Sequence, residues 1–148
     1  MIGPFAVLLS AVATPVAQAC GVCVEDKIAA VYDHAVVSKA LAQKHCVAFF
    51  HLEGSLHAGE ATRRALETIS AASRGADKGS VRVSVESASL AVAFDPRRTP
   101  VMALQKDLER RLAAQNLSLM LMQVLERPSD VRPRIQAPPA RLQPAGTT

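Results

Sequence analysis

The sequence predicts an α+β domain in which strands and helices follow the order strand–helix–strand–strand–helix–strand, preceded by one further helix. Two segments carry apolar residues every three or four positions, which is typical of amphipathic helices. Four shorter segments have the alternation and the β-branched or aromatic content of strands. The chain has 148 residues, which is enough for one such domain.

The first predicted element is a single helix over residues 24–43. Its apolar positions recur at helical spacing, namely Val24, Ile28, Val31 and Ala35. Glu25 and Asp26 fall in its first turn, where the helix dipole favours acidic side chains. We therefore expect one continuous helix ahead of the first strand.

A strand is predicted over residues 45–53, and Gly54 is expected to end it. Because side chains alternate along a strand, one face would carry Cys46, Ala48, Phe50 and Leu52. The other face would carry His45, Val47, Phe49 and His51. On this face assignment, Cys46 is expected to be a small buried apolar residue.

The first helix of the sandwich is predicted from an apolar stripe formed by Ala61, Ala65, Leu66, Ile69 and Ala72. A turn with the sequence SRGADKGS follows it. Two strands, 81–86 and 90–95, then alternate apolar and polar residues across a short connection. These two strands are expected to form a hairpin.

The second helix of the sandwich is expected to begin with Thr99 as its cap and Pro100 at its first helical position. Its apolar stripe consists of Val101, Leu104, Leu108 and Leu112. The last predicted strand has the sequence LSLMLMQV, residues 117–124.

This order of elements is the ferredoxin-like βαββαβ arrangement, in which two helices cover one face of a four-stranded antiparallel sheet. Phe49 then lies on the face that neither of those helices covers. The helix predicted at 24–43 is the segment expected to cover it.

Residues 45–124 resemble the heavy-metal-associated domain found in copper chaperones, metal-transporting ATPases and periplasmic mercury-binding proteins. The resemblance runs through three stretches, FFHLEG, GSVRVSVES and LAVAFDPRRTPVMALQKDLERRL. It implies a ferredoxin-like fold over 44–126 and a soft metal ion as ligand. Fold alone does not transfer that function.

The loop that carries the family's metal site departs from the family pattern. The resemblance implies Met-x-Cys-x-x-Cys here, but the loop is GSLHAGE, with Ser55 in place of the Met and His57 and Glu60 in place of the cysteines. A register shifted by one residue places Ala58 and Ala61 there instead. Either way the thiolate pair that soft cations prefer is missing from the loop.

The sequence CGVC supplies a cysteine pair elsewhere, at Cys20 and Cys23. Two thiolates at this spacing can chelate one metal ion, and the helix that follows favours the thiolate form. The same pair could instead catalyse thiol–disulfide exchange or form a local disulfide that anchors the N-terminal segment. All three interpretations stay open at this point.

If the pair binds metal, the favoured ion is Cu(I), with Zn(II) or Hg(II) behind it. Three histidines, His45, His51 and His57, are candidates to complete the coordination. His34 lies 11 positions after Cys23 on the predicted helix, too far to join the same site. The predicted partners are the metal ion itself and either a membrane metal transporter or another periplasmic protein.

Residues 1–19 are predicted to be a cleaved export signal, because an uncharged apolar run ends in Ala17-Gln18-Ala19. Cleavage would place Cys20 first in a periplasmic or secreted protein. A lipid anchor on Cys20 is disfavoured, since Ala17 stands where lipoprotein signals carry a large aliphatic residue. The segment 20–43 then joins this terminus to the domain.

Residues 127–148 are predicted to be a disordered tail rich in proline and arginine. Its four arginines and one aspartate supply +3 of the net charge of +4. The remaining 13 basic and 12 acidic residues nearly cancel, so the domain has no basic face for nucleic acid. The sequence also has no phosphate-binding loop, Gly-x-Ser-x-Gly or His-Glu-x-x-His motif, which disfavours an enzyme.

Overall fold

The computed structural model describes residues 23–128. Two short helices come first and are followed by six elements in the order βαββαβ. In chain order the elements are α1 Val24–Val31, α2 His34–Ala42, β1 Cys46–Glu53, α3 Glu60–Ala71, β2 Arg82–Ser84, β3 Ser89–Phe94, α4 Val101–Leu112 and β4 Ser118–Leu125. The predicted export signal, Cys20 and the tail beyond residue 128 lie outside the described residues.

The four strands form one antiparallel sheet in the order β2-β3-β1-β4, which confirms the predicted α+β ferredoxin-like fold. The central strand β1 pairs with β3 through Phe50 and Leu90, and with β4 through His51 and Met120. The end of β1, the β2–β3 turn and the start of β4 therefore lie at the same end of the strands. We call this end of the sheet the loop end, because the loop that follows β1 also leaves from it.

The main core lies between the sheet and the helices α3 and α4. Its buried residues come from alternate positions of every strand, which confirms the predicted faces of β1 and the inward valines of the β2 segment. Its largest members are Phe50, Phe94, Leu52, Leu90, Leu104, Leu108 and Leu112. Cys46 lies in this core with 6% of its surface exposed, as expected of a small apolar residue.

The N-terminal segment differs from the prediction, because the expected single helix is two. The chain turns at Tyr32–Asp33, where the Asp33 carboxylate accepts hydrogen bonds from the backbone N–H groups of Ala35 (2.9 Å) and Val36 (3.1 Å). An aspartate that caps a new helix in this way competes with continuation of the old one.

The turn also changes which residues are buried. Val24 and Ala35 of the predicted stripe are exposed, whereas Val37 and Ala40 of α2 are buried.

The two helices cover the second face of the sheet. A second apolar cluster joins Val31, Val37 and Ala40 to four sheet residues, Val47, Phe49, Ala91 and Ala93. Phe49 is 1% exposed. The expectation that the N-terminal segment covers Phe49 is therefore confirmed, with a broken helix in place of a straight one.

An ion pair fastens the turn between α1 and α2 to the sheet. Asp33 Oδ2 lies 2.8 Å from Arg82 Nη2 at the start of β2. The pKa of Asp33 is lowered mainly by the hydrogen bond that it accepts from the Val36 N–H, and further by its hydrogen bond with Arg82. The far end of α1 is thus held against β2, an outer strand of the sheet.

Helix α4 begins differently from the prediction. Pro100 occupies the N-cap position and no side chain caps the helix. The Thr99 side chain instead packs against Gly75, where an added Cβ would lie 2.6 Å from Thr99 Oγ1. Among residues 23–128, no helix is long and apolar enough to cross a membrane.

Asp107 is a buried carboxylate on α4 that joins this helix to the turn after α3. It accepts hydrogen bonds from Ser73 Oγ (2.8 Å), the Arg74 backbone N–H (2.9 Å) and Arg111 Nε (2.9 Å). These contacts, with Arg111 the largest cause, hold its pKa far below the usual 3.8. The contacts therefore stabilise the fold only while Asp107 is ionised.

We expect Asp107→Asn to lower the free energy of unfolding at pH 7 by about 2–4 kcal/mol, because it weakens a satisfied buried network. Since the folded pKa lies below the unfolded one, this stabilisation is present above about pH 4 and is lost as the pH falls further. Urea unfolding at pH 7 and pH 3 should show the difference between the two proteins shrinking in acid. Glu109→Gln on the same helix is the control, and a pH-independent difference would contradict this assignment.

Gly54 ends β1 with a φ of 134°, and an added Cβ would lie 2.5 Å from the Asn116 carbonyl oxygen. Gly59 has a similar φ of 140° but nothing within 4 Å of an added Cβ. We expect Gly59→Ala to cost about 1–3 kcal/mol of unfolding free energy from backbone strain alone. Gly54→Ala should cost at least about 1 kcal/mol more, because overpacking adds to the same strain. Equal costs in urea unfolding would contradict the close approach.

Candidate functional site

In the loop after β1, where the family resemblance implies a metal site, the candidate ligands are the His57 imidazole and the ion-paired Glu60 carboxylate. Glu60 is the first residue of α3, and its carboxylate accepts hydrogen bonds from Arg63 Nε (2.8 Å) and Arg64 Nε (2.8 Å). These bonds, with Arg63 the larger cause, lower the pKa of Glu60 to about 2. Glu60 is thus an exposed carboxylate paired with two guanidinium groups, and His57 is an exposed imidazole.

His45 lies just before β1, at the end of the sheet opposite the loop end. Its Nδ1 donates to Asp77 Oδ2 at 2.6 Å, and its Nε2 lies 3.9 Å from Asp95 Oδ2. The pKa of Asp95 is lowered, mainly by its hydrogen bond with Arg97. The carboxylates face different nitrogens of one ring, so the imidazole separates them and they do not converge on a common ion.

His45 and His51 are six positions apart on an extended strand, which corresponds to about 20 Å. The structure therefore does not bring these two predicted ligands together in one mononuclear site. His34 starts α2, where its Nε2 lies 3.3 Å from Ser38 Oγ.

His51 lies at the loop end, on the face of the sheet that α1 covers. Its Nδ1 lies 2.8 Å from the Ala88 carbonyl oxygen and 2.9 Å from Lys27 Nζ. A carbonyl only accepts and an ammonium only donates, so Nδ1 satisfies one of these two contacts at a time: a protonated Nδ1 suits the Ala88 carbonyl, and an unprotonated Nδ1 suits Lys27. Lys27 Nζ also donates to the neighbouring Ser87 carbonyl at 3.4 Å.

Cys23 is exposed and occupies the N-cap position of α1. Its carbonyl accepts hydrogen bonds from the backbone N–H groups of Asp26 (3.0 Å) and Lys27 (3.2 Å). Residues four apart lie on the same side of a helix, so Cys23 sits one turn before Lys27 on the side that reaches His51. The N-terminal segment thus delivers Cys23 to the loop end of the sheet.

The predicted site residues therefore fall into two groups. Cys23, His51 and the loop that carries His57 lie at the loop end. His45 lies at the opposite end of the sheet. Within residues 23–128, no three His, Cys, Asp or Glu side chains are grouped closely enough to hold a metal ion. Any site at Cys23 needs Cys20, which lies outside the described residues.

Sequence reasoning missed the contact of Lys27 with His51 and the pairing of His45 with Asp77. The first depends on where α1 crosses the sheet. The second joins residues 32 positions apart. Neither contact has a local sequence signal.

No protein-family model matches the chain, and no curated protein matches it. Oxidized MerP from Ralstonia metallidurans CH34 is similar in structure, with 20% identity and a TM-score of 0.42. The match covers 53% of this chain and 99% of MerP. A copper binding domain from HMA7, a P-type ATPase, is 14% identical with a TM-score of 0.42, over 53% of this chain and 96% of that domain. At these identities and TM-scores the likeness carries no argument about function, which is inferred from the residues of this chain alone.

The two described cysteines should differ sharply in reactivity. In reduced protein carrying Cys20→Ser, Cys23 is expected to react at once with a thiol reagent such as 5,5′-dithiobis(2-nitrobenzoate), since it is exposed. Cys46 should react at least about a hundredfold more slowly, because its exposure requires opening of the core. Adding Cys46→Ala should remove the slow phase. Two equally fast thiols would contradict the placement of Cys46.

Proposed function

We propose that this protein binds a soft metal ion through the thiolates of Cys20 and Cys23 and hands it on, with Cu(I) as the favoured ion and Zn(II) or Hg(II) behind it. The observation that supports this proposal best is the position of Cys23. Cys23 is exposed at the start of α1, which packs on the sheet and reaches the loop end. The family resemblance implies a metal site at that same end of the sheet.

The chemistry of the cysteine pair fits this role. A CxxC spacing lets two thiolates hold one soft cation. The loop after β1 is a poorer site for a soft ion, because it offers an imidazole and an ion-paired carboxylate in place of thiolates. In this proposal the N-terminal segment supplies the cysteine pair that the loop lacks.

Exposure of the site fits metal transfer. A ligand at an exposed N-cap can be approached by the thiolates of a second protein, so the ion can pass by ligand exchange without unfolding of the donor. We propose that this occurs after export, in the periplasm, with Cys20 as the first residue of the mature chain. The acceptor would be a membrane metal transporter or another periplasmic protein.

The decisive test is a titration of reduced protein, beginning at Cys20, with Cu(I) in the presence of a competing chelator. The protein should retain one ion and protect two of its three thiols from modification. Cys20→Ser/Cys23→Ser should abolish this uptake. Cys46→Ala is the matched cysteine control and should retain it, and so should His57→Ala and Glu60→Gln.

Uptake by the double cysteine variant equal to that of the unaltered protein would refute the proposal. The reduction potential of the pair would then separate the two remaining interpretations. A thiol–disulfide catalyst should have a potential between about −120 and −270 mV, whereas a structural disulfide lies below about −300 mV.

A further inference from the structure

We propose that β4 is the surface through which two copies of this chain associate, by antiparallel pairing of one β4 with the other. The two sheets then join into one sheet of eight strands. This association is independent of metal binding, because it uses neither cysteine of the CxxC.

β4 is an outer strand of the sheet. It pairs with β1 along one side, and among residues 23–128 no strand pairs with its other side. An outer strand presents a row of backbone N–H and C=O groups that a further extended strand can bond. Proteins commonly protect such an edge with charged residues or proline, but β4 has the sequence SLMLMQVL, which contains neither. Its free side is therefore suited to pairing with a second strand.

β2, the outer strand on the other side of the sheet, is protected. It has only three residues, and its first residue, Arg82, forms an ion pair with Asp33. Short outer strands and charged side chains disfavour pairing with another chain. Association through β4 therefore closes at two copies and does not extend into a fibre.

The N-terminal helices are centred away from β4. Helix α1 packs over β2 and β3, and α2 packs over β1 and β3. On the same face of β4, Met120 is 48% exposed and Gln123 is exposed. A large apolar side chain beside a free strand edge loses solvent contact when a second strand is added, which favours the association.

A bulge in β4 restricts how two copies can pair. Along the ladder with β1, Leu121 lies opposite Phe50 and Gln123 lies opposite Phe49. Met122 is therefore an extra residue, and it reverses the alternation of side chains between the two halves of β4.

The two halves of β4 match each other in an antiparallel pair. Ser118 and Met120 before the bulge, and Gln123 and Leu125 after it, lie on the face of the sheet that carries the N-terminal helices. Pairing over all eight residues places Ser118 of one copy opposite Leu125 of the other, and Met120 opposite Gln123. Opposed residues then share a face, and both copies contribute the same residues, as two-fold symmetry requires.

The charges beyond the two ends of β4 are complementary in this arrangement. At the loop end, the Glu53 carboxylate accepts a hydrogen bond from Ser118 Oγ at 3.3 Å. At the opposite end, three basic side chains and one acidic side chain line one cavity, namely Lys44, Arg97, Arg127 and Glu126. Antiparallel pairing brings Glu53 of each copy towards this basic end of the other, whereas parallel pairing would bring like charges together.

The test is sedimentation velocity of the reduced protein beginning at Cys20, with a metal chelator present. We expect a monomer–dimer equilibrium, in which the mean mass rises with protein concentration towards twice the monomer mass. Met120→Lys places a charge beside the free edge and should raise the dimer dissociation constant at least about tenfold. Met102→Lys is the matched control, because Met102 is 66% exposed on α4, and it should leave the constant unchanged.

A charge swap tests the antiparallel orientation. Glu53→Arg and Arg127→Glu should each weaken the dimer about two- to fivefold, because each places like charges together across the pair. The double variant should restore the affinity. Since the two positions lie at opposite ends of one β4, this restoration requires two chains.

A protein that stays monomeric at every concentration would overturn this inference and leave the free edge to a strand of another chain or of the tail. A dimer that Met120→Lys leaves unchanged would overturn it as well. So would a dimer that is lost in Cys20→Ser/Cys23→Ser, because the cysteines would then hold the copies together. None of these results alters cysteine-dependent Cu(I) uptake, on which the proposed function is judged.

Discussion

Both faces of the sheet are buried, and this determines where the N-terminal segment lies. A βαββαβ sandwich covers only one face of its sheet, which would leave Val47 and Phe49 exposed. Helices α1 and α2 cover that face and reduce the exposure of Phe49 to 1%. Full burial of an aromatic side chain contributes about 1.5–3 kcal/mol. The N-terminal segment is thus part of the fold, and its packing fixes where Cys23 lies.

The same packing decides what lies beside the loop after β1. That loop offers one imidazole, His57, and runs into Glu60, whose carboxylate pairs with two arginines of α3. The start of α1, with Cys23 at its N-cap, approaches the loop end from the other face of the sheet.

Most of the fold could be predicted from the sequence because its signals are local. The alternation in β1 identified the core face with Cys46 and Phe50, and the leucine stripe identified α4. The break at Tyr32–Asp33 was missed because helical spacing continues through it, although an aspartate at this position can cap a new helix locally. The ion pair of Asp33 with Arg82, 49 positions away, has no local signal. The candidate site was only partly predictable for the same reason. The CxxC is a local motif, whereas the position of Cys23 relative to His51 follows from where α1 packs on the sheet.

The most direct test of the central claim is X-ray absorption spectroscopy at the copper edge on the protein loaded with one equivalent of Cu(I). Coordination by the cysteine pair predicts a first shell dominated by sulfur in the unaltered protein, and no copper retained by Cys20→Ser/Cys23→Ser under the same conditions. A first shell of nitrogen and oxygen in the unaltered protein, or a sulfur shell that survives the loss of both cysteines, would contradict the account.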